Sequence, residues 1–355
     1  MKTIVDVRFV PHSGIDILSM TLEQLQVVVK ELGEPAFRAK QIFDWLHNKH
    51  ITEIDDMTNI PKSLKEKLKK HCSIDGVKQL KKLVSQIDGT TKYLFEIKDN
   101  LVIESVLMKY SYGNTACIST QAGCRMGCQF CASTLDGVDR NLTAGEMLSQ
   151  IYEIQKDSGE HVSNVVLMGS GEPLDNYSNV IRFIYMANEE KGLHLGQRHI
   201  TLSTCGLVEN IYRLLEEDLQ ITLAVSLHAP NDTIRQSIMP IAKKYSIEEV
   251  LKACKQYSDK TKRRVTFEYA LIKGVNDSDS CAEELASRLH HMLCHVNLIP
   301  VNEVKERSYI KSAEQRVQKF AQILQQKGIE VTIRRKLGSD IDAACGQLRR
   351  SYQKK

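Results

Sequence analysis

The chain of 355 residues contains no apolar run that approaches the ~18 residues needed to cross a bilayer. Its first residues also lack the apolar block of a secretory signal, because Asp6 and Arg8 fall where that block would lie. These two absences predict a cytoplasmic protein with no membrane segment. The sequence has no internal repeat and no low-complexity linker, and its 42% hydrophobic and 26% charged residues exclude a disordered chain.

A large excess of one charge is also missing, since 48 Lys and Arg residues oppose 44 Asp and Glu residues. Positive charge is nevertheless concentrated in residues 61–82 and 334–355. Such segments attract nucleic-acid phosphates, although a solvated helix face gives the same pattern, and both interpretations stay open here. The basic residues concerned include Lys65, Lys67, Lys69, Lys70, Arg334, Arg335, Arg349 and Arg350.

The first 109 residues divide into a helical part and a strand part. Thr21 and Gln24 have the spacing of a capping box before an apolar stripe, and Pro35 and Pro61 are placed to open two further helices. From residue 77 the apolar period changes to that of strands, with turn residues between three segments, which predicts an antiparallel meander. We therefore assign residues 1–76 to a helical domain and 77–109 to a β-meander, with strands at 77–86, 91–97 and 101–109.

Strand and helix signals alternate from residue 110 to 336, which implies repeated parallel βα units. Six units are too few for a closed eight-fold barrel. The predicted fold is therefore α/β, with an open partial (β/α)6 barrel that binds its ligands at the carboxyl ends of the strands. The candidate strands are 115–119, 164–168, 200–203, 221–227, 265–272 and 295–299, followed by a last strand at 330–335 and a tail at 337–355.

The sequence has ten cysteines, and three of them, Cys124, Cys128 and Cys131, fall within eight residues. A secreted disulfide scaffold would be shorter and would not cluster its cysteines in this way. Three thiolates on one loop can hold three irons of a cubane cluster and leave the fourth iron free for another ligand. Zinc is the alternative, for which His or Cys residues elsewhere would have to complete a four-ligand site.

The triplet, with Phe130 before its last cysteine, resembles the motif of the radical S-adenosylmethionine (SAM) enzymes. That resemblance implies one 4Fe-4S cluster, whose open iron chelates SAM and whose electron cleaves it to a 5′-deoxyadenosyl radical. It also implies SAM contacts after successive strands, including a glycine-rich segment whose glutamate meets the SAM amino group. The implied contacts are Gly171, Glu172, Pro173, Ser203, Ser226, Leu227, His228 and Asn302. Taken alone, each of them is an ordinary loop residue.

Longer segments resemble the RlmN/Cfr RNA methyltransferases, a family within that group, over nearly the whole chain. They are residues 114–119, 140–143, 226–232, 297–300 and 338–348, the last with an Ala-Cys-Gly-Gln-Leu ending. The resemblance implies an unusual route that consumes two SAM molecules. Because the target carbon of adenine is not nucleophilic, the methyl group travels on a protein cysteine, and the RNA becomes covalently attached to that cysteine.

Three residues receive roles from this resemblance. Cys345 is the implied S-methylcysteine carrier, Cys117 the resolving thiol that forms a transient disulfide with it, and Glu104 the proton acceptor. Taken alone, Cys117 and Cys345 would be packed thiols and Glu104 a strand carboxylate. The remaining cysteines match nothing catalytic and are interpreted as structural: Cys72, Cys205, Cys254, Cys281 and Cys294.

The resemblance implies 23S rRNA as substrate, residues 1–76 as an RNA-binding domain, and a flavodoxin or ferredoxin as electron donor. In some bacteria the family also modifies an adenosine of tRNA beside the anticodon, so tRNA is a possible second substrate. We expect the protein to be a monomer. Gly171 to Leu174 resembles RlmN, which methylates carbon 2, whereas residues 338–340 are closer to Cfr, which methylates carbon 8 and confers antibiotic resistance. We favour carbon 2. A non-catalytic iron–sulfur RNA sensor is a further hypothesis, in which Glu104, Cys117 and Cys345 would be idle.

Overall fold

The computed structural model of the protein describes residues 14–302, 304–343 and 346–348. In this part of the chain, no helix is both long enough and apolar enough to cross a membrane. Three residues with predicted roles, Cys345, Arg349 and Arg350, lie outside the described residues.

Three helices form the N-terminal part, between two short strands that pair in parallel. These elements are β1 (Ile15–Asp16), α1 (Leu22–Glu31), α2 (Phe37–His47), α3 (Lys62–His71) and β2 (Cys72–Ser73). The predicted capping box is confirmed, since Thr21 and Gln24 each accept the other's backbone N–H through their side chains. Helix α2 begins two residues after Pro35, because the chain first makes a turn in which the Arg38 N–H donates to the Pro35 carbonyl.

The lysines of α3 are partly engaged within the protein. The Lys67 ammonium lies 3.0 Å from the Glu34 carboxylate, and the Lys69 ammonium lies 2.5 Å from that of Asp55. Lys65 donates to the Asp55 backbone carbonyl at 2.8 Å. An ion pair as exposed as that of Lys69 with Asp55 contributes little to stability, so a phosphate oxygen could replace this partner at low cost. RNA binding by these lysines stays a prediction.

The predicted meander is confirmed as three antiparallel strands, β3 (Lys78–Val84), β4 (Thr91–Glu96) and β5 (Val102–Tyr110). Strand β5 also pairs antiparallel with β6 (Gly113–Cys117), the first strand of the barrel. The meander and the barrel therefore share one ten-stranded sheet. The domain boundaries assigned from the sequence stay a prediction.

A hairpin that sequence reasoning missed frames the cysteine loop. Its strands, β7 (Gln121–Gly123) and β8 (Val138–Asn141), are too short to show an alternating pattern. Gly123 has a φ of 81°, and a Cβ there would lie 2.0 Å from the Gly137 carbonyl oxygen. The backbones of the two strands are therefore in contact at this point, where the Cys124 N–H donates to the Gly137 carbonyl at 2.7 Å.

The predicted α/β partial barrel is confirmed. Strand β6 and six further strands run parallel, each beside the preceding one, so their carboxyl ends share one edge. The further strands are β9 (Val162–Leu167), β10 (Ile200–Thr204), β11 (Thr222–Ser226), β12 (Val265–Leu271), β13 (Cys294–Pro300) and β14 (Glu330–Ile333). The helices are α4 (Ala144–Ser158), α5 (Tyr177–Asn188), α6 (Val208–Leu214), α7 (Asp232–Ile238), α8 (Ile247–Thr261), α9 (Asp279–Leu289) and α10 (Glu314–Gln326).

Replacing Gly123 by alanine should destabilise the loop that carries the three cysteines. A left-handed backbone costs an L-residue about 1–2 kcal/mol, and the new methyl group would also collide with the Gly137 carbonyl. Gly137→Ala is the matched control, because its φ is also positive, at 70°, while nothing lies within 4 Å of its new methyl group. We expect Gly123→Ala to lower the unfolding temperature and the iron content more than Gly137→Ala does. Equal effects would mean that the close approach is not a constraint.

Candidate active site

A cavity of about 940 Å³, its open mouth included, lies at the carboxyl edge of the barrel strands. It brings together the cysteine triplet, the glycine-rich segment and polar residues at the ends of later strands. The predicted residues in its lining are Cys124, Cys128, Cys131, Gly171, Glu172, Pro173, Ser203, Ser226, His228 and Asn302. Leu227 differs from them: it is fully buried outside this lining, and its N–H donates to the Glu268 carbonyl.

The cysteine loop is tied to its surroundings by hydrogen bonds to its backbone. The Gln129 N–H donates to the Ile238 carbonyl at the end of α7, at 2.9 Å. The Thr134 hydroxyl lies within 3.0 Å of the carbonyl oxygens of both Cys128 and Cys131. The three thiols therefore sit on a fixed backbone that faces the cavity.

The donor set of this loop fits an iron–sulfur cluster. Burial raises the pKa of the Cys124 thiol to about 12 and that of Cys128 well above its ordinary value, and the nearby Cys131 adds to both shifts. Thiols in this setting need a strong positive charge to ionise, which iron supplies. Among the described residues, no three His, Cys, Asp or Glu side chains converge to hold one metal ion. A cubane does not require such convergence, because each thiolate binds a different iron.

The glycine-rich segment after β9 approaches the end of β6 very closely. A Cβ at Gly169 would lie 2.6 Å from the Ile118 carbonyl oxygen. A Cβ at Gly171, whose φ is 109°, would lie 2.7 Å from Gln121. Only glycine permits both approaches, and they bring this segment to the cavity wall beside the cysteine loop.

Glu172 is a buried carboxylate that the backbone already holds. One oxygen accepts the Leu174 N–H at 3.0 Å and the other accepts the Cys205 N–H at 2.8 Å. Burial raises the pKa of Glu172, and these donors oppose the shift. The side chains of Thr204 and Cys205 also donate to Glu172, so an ammonium in the cavity would compete with these donors for the carboxylate oxygens.

His228 is held as a neutral imidazole. Its Nδ1 accepts the Ala270 N–H at 2.9 Å, which leaves the proton on Nε2. Burial lowers the pKa of His228 to about 3, and the nearby Arg235 adds to the shift. The ring stands edge-on to Phe130, with the ring centroids 4.8 Å apart. His228 can therefore donate from Nε2 but carries no charge at neutral pH.

A second cluster lies beside the cavity, on one face of β5 and β6. Cys117 is directly opposite Val106 in the sheet, and Glu104 lies two residues away on the same face. Both predicted residues are buried, with 7% of Cys117 and 2% of Glu104 exposed. Cys117 packs in one apolar cluster with Ala343 and Leu348 of the tail.

The tail is fixed on both sides of position 345. Upstream of it, the Gly338 N–H donates to the Asp88 carboxylate at 2.9 Å. Downstream, the Gly346 carbonyl accepts the Ala132 N–H at 2.8 Å, next to the cysteine loop, and Gly346 itself lines the cavity. The described tail residues therefore run past Cys117 to the cysteine loop. The role of Cys345 stays a prediction.

The structure adds residues to the cavity that sequence reasoning did not assign. Glu268 and Arg334 both line it, and Glu268 accepts from the Asn297 side chain at 2.9 Å. Burial raises the pKa of Glu268, while Arg334 and Asn297 oppose the shift. The sequence signal that could have identified Glu268 is a carboxylate within the otherwise apolar strand β12. Cys205, interpreted as structural, also lines the cavity.

Comparison with known proteins places the chain among SAM-dependent RNA-modifying enzymes. Residues 118–285 match the model of the radical SAM superfamily, and residues 15–74 match that of the ribosomal RNA large subunit methyltransferase N-terminal domain. The chain is 58% identical over 337 residues to a probable dual-specificity RNA methyltransferase RlmN of Clostridium novyi, covering 95% of this chain and 98% of that protein. A protein with the same description from Alkaliphilus oremlandii is 56% identical over 338 residues, with 95% and 98% covered.

A solved structure agrees with these relatives. The crystal structure of a radical SAM methyltransferase from Sphaerobacter thermophilus has a TM-score of 0.89 to this chain at 43% sequence identity. The match covers 94% of this chain and 99% of that one.

Removing any one cysteine of the triplet should abolish the cluster. Each of Cys124→Ala, Cys128→Ala and Cys131→Ala leaves an iron without its protein ligand, whereas Cys205→Ala removes a thiol of the same cavity that lies outside the motif. After anaerobic reconstitution we expect four irons and four sulfides in the native protein and in Cys205→Ala, and a large loss of both in the triplet variants, since a cubane has that composition. Stoichiometric zinc in a colourless native protein would contradict the assignment.

Proposed function

Because the chain belongs to the RlmN family of radical SAM RNA methyltransferases, with a 4Fe-4S cluster and SAM as its cofactors, we propose that it methylates carbon 2 of an adenosine in the peptidyl transferase centre of 23S rRNA. An adenosine beside the tRNA anticodon is the proposed second substrate. The observation that carries the proposal is that Cys117 shares one apolar cluster with Ala343 and Leu348, which lie on either side of Cys345 in the tail. A metal-binding RNA sensor would have no use for this arrangement.

The proposed reaction divides the work between the cofactors and the protein. When bound, the cluster and SAM supply the radical that removes hydrogen from a methyl group, and the cluster can take back one electron. Cys345 first accepts a methyl group from one SAM, and its sulfur then links the enzyme to the adenine. Glu104 takes the proton from the substituted ring carbon. The Cys117 thiolate then attacks the Cys345 sulfur, and the bond between that sulfur and the methylene carbon on the adenine breaks. This carbon keeps the electron pair and takes up a proton, which gives the methyl group of the released RNA.

Substrate access would require the adenosine to leave its base stack, because the cavity lies at the edge of the barrel. Extrusion of a base costs a few kcal/mol, which phosphate contacts outside the cavity offset. The lysines of α3 and Arg335 are the proposed sources of such contacts, whereas Arg334 lines the cavity itself. We further propose a cytoplasmic monomer that receives its electrons from a flavodoxin or ferredoxin.

The position of the new methyl group is the direct test of this proposal. RNA from a strain that carries only this enzyme should contain 2-methyladenosine, which mass spectrometry after chromatography separates from 8-methyladenosine. RNA from the same strain without the gene is the control. The second candidate, Cfr-type methylation of carbon 8, is favoured only by residues 338–340, Gly-Ser-Asp. A peak of 8-methyladenosine would replace our proposal by that one.

In the proposed reaction Cys345 acts before Cys117, so variants of these two cysteines should behave in opposite ways. Cys117→Ala should accumulate a covalent RNA–protein adduct, because nothing then attacks the Cys345 sulfur, whereas Cys345→Ala cannot form the link. The adduct is measured as a shifted, RNase-sensitive band on a denaturing gel. Cys254→Ala, which changes a buried cysteine of α8, is the control and should show no band. Similar bands in Cys117→Ala and Cys345→Ala would disprove these assignments.

A further inference from the structure

Lys92, in the middle strand of the meander, is a buried cation with a specific environment. Only 6% of the residue is exposed, which is unusual for a lysine. The sheet register places it directly opposite Val106, which is in turn opposite Cys117. Lys92 therefore occupies the same row of the same sheet face as the predicted resolving cysteine.

Two acceptors meet the Lys92 ammonium. The Glu104 carboxylate oxygen lies 3.6 Å away, in an ion pair whose side chains are 7% and 2% exposed. The Asp342 backbone carbonyl accepts a hydrogen bond from Lys92 at 3.1 Å. Asp342 belongs to the tail and precedes Cys345 by three residues. Lys92 thus joins the predicted proton acceptor to the segment that carries the predicted methyl carrier.

The tail segment around Asp342 is held by further contacts, so its carbonyl can anchor the Lys92 ammonium. The Gln86 N–H donates to the Asp340 carboxylate at 2.9 Å, and the Ala343 N–H donates to the Gly338 carbonyl at 2.9 Å. A Cβ on Gly338 would lie 2.7 Å from the Ala343 Cβ. The Asp342 carbonyl therefore occupies a fixed position above β4.

We propose that Lys92, anchored on the Asp342 carbonyl, is a positioning residue that holds Glu104 as an oriented carboxylate facing the RNA–Cys345 adduct. Burial penalises the charged form of a carboxylate, and a cation beside it favours that form. A protonated Glu104 could not accept the ring proton. The ion pair therefore keeps the base in its working state inside a dry site.

This inference rests on the proposed function, in which Glu104 acts on the RNA–Cys345 adduct; the cluster, when bound, would supply the one-electron oxidation that this adduct needs. In the step concerned, the bond between the ring carbon and its hydrogen breaks, and its electron pair returns to the ring. The carboxylate of Glu104 becomes a carboxylic acid beside the Lys92 ammonium. Lys92 forms and breaks no covalent bond in this step, so it acts only through Glu104.

A double-mutant cycle with Lys92→Met, Glu104→Gln and the combination tests this inference. Both single variants should still cleave SAM and methylate Cys345, but they should retain the adduct and release on the order of 10²-fold less methylated RNA, the lower range of general-base effects. The combined variant should match Glu104→Gln alone, because Lys92 has no separate role. It also replaces the buried pair by two neutral groups, so folding does not depend on an unpaired charge.

Lys109→Met is the matched control, since Lys109 lies on the adjacent strand β5 and pairs with Glu160 at 2.7 Å in a more exposed position. It should release product like the native enzyme. Loss of Cys345 methylation in Lys92→Met, or a combined variant much worse than Glu104→Gln, would mean that Lys92 only anchors the tail and would overturn the inference. Native release by Glu104→Gln would instead refute the proposed role of Glu104.

Discussion

The pairing of β5 with β6 is the constraint on which the arrangement of the site depends. It joins the meander to the barrel in one sheet and places Val106 opposite Cys117. Because side chains alternate along a strand, a slip of one residue would turn Glu104 away from Cys117 and from the tail. The Ser119 hydroxyl reinforces this relation, since it donates to the Glu104 carbonyl at 2.6 Å and accepts the Ser170 N–H at 2.9 Å. The glycine-rich segment is thereby tied to the same strand.

Buried polar groups fix the other strand ends around the cavity. Arg235 is fully buried and donates to the carbonyls of Cys205, Leu227 and Tyr245, at 2.7, 3.3 and 3.2 Å. These carbonyls belong to loops that follow β10, β11 and α7. A buried guanidinium is tolerable only when its donors are satisfied, so the cost of its burial is offset by a fixed loop geometry. A rigid cavity wall of this kind suits chemistry that must keep a reactive radical from water and from side reactions.

Local patterns predicted the elements that build the barrel, because each is long enough to show its own period. The capping box at Thr21 and the alternation of strands and helices after residue 110 are examples. The β7–β8 hairpin could not be predicted in this way, because it depends on contact between the Gly123 and Gly137 backbones, which lie 14 positions apart. The fusion of the meander with the barrel was missed for a related reason. The pairing of two strand edges depends on both strands together, so the apolar periodicity of neither sequence reveals it.

The sequence by itself determined the cysteine triplet and the order of βα units, because ligand spacing and strand periods are local properties of the chain. It also pointed to the family, and with it to Glu104 and Cys117, but only through resemblance. Only the tertiary structure decided that Leu227 lies outside the cavity lining, that Glu268 and Cys205 line it, and that Lys92 lies between Glu104 and Asp342. The last contact joins positions 250 residues apart. A lysine in a strand resembles any solvated lysine until the sheet and the tail enclose it, and enclosure is a property of the folded chain alone.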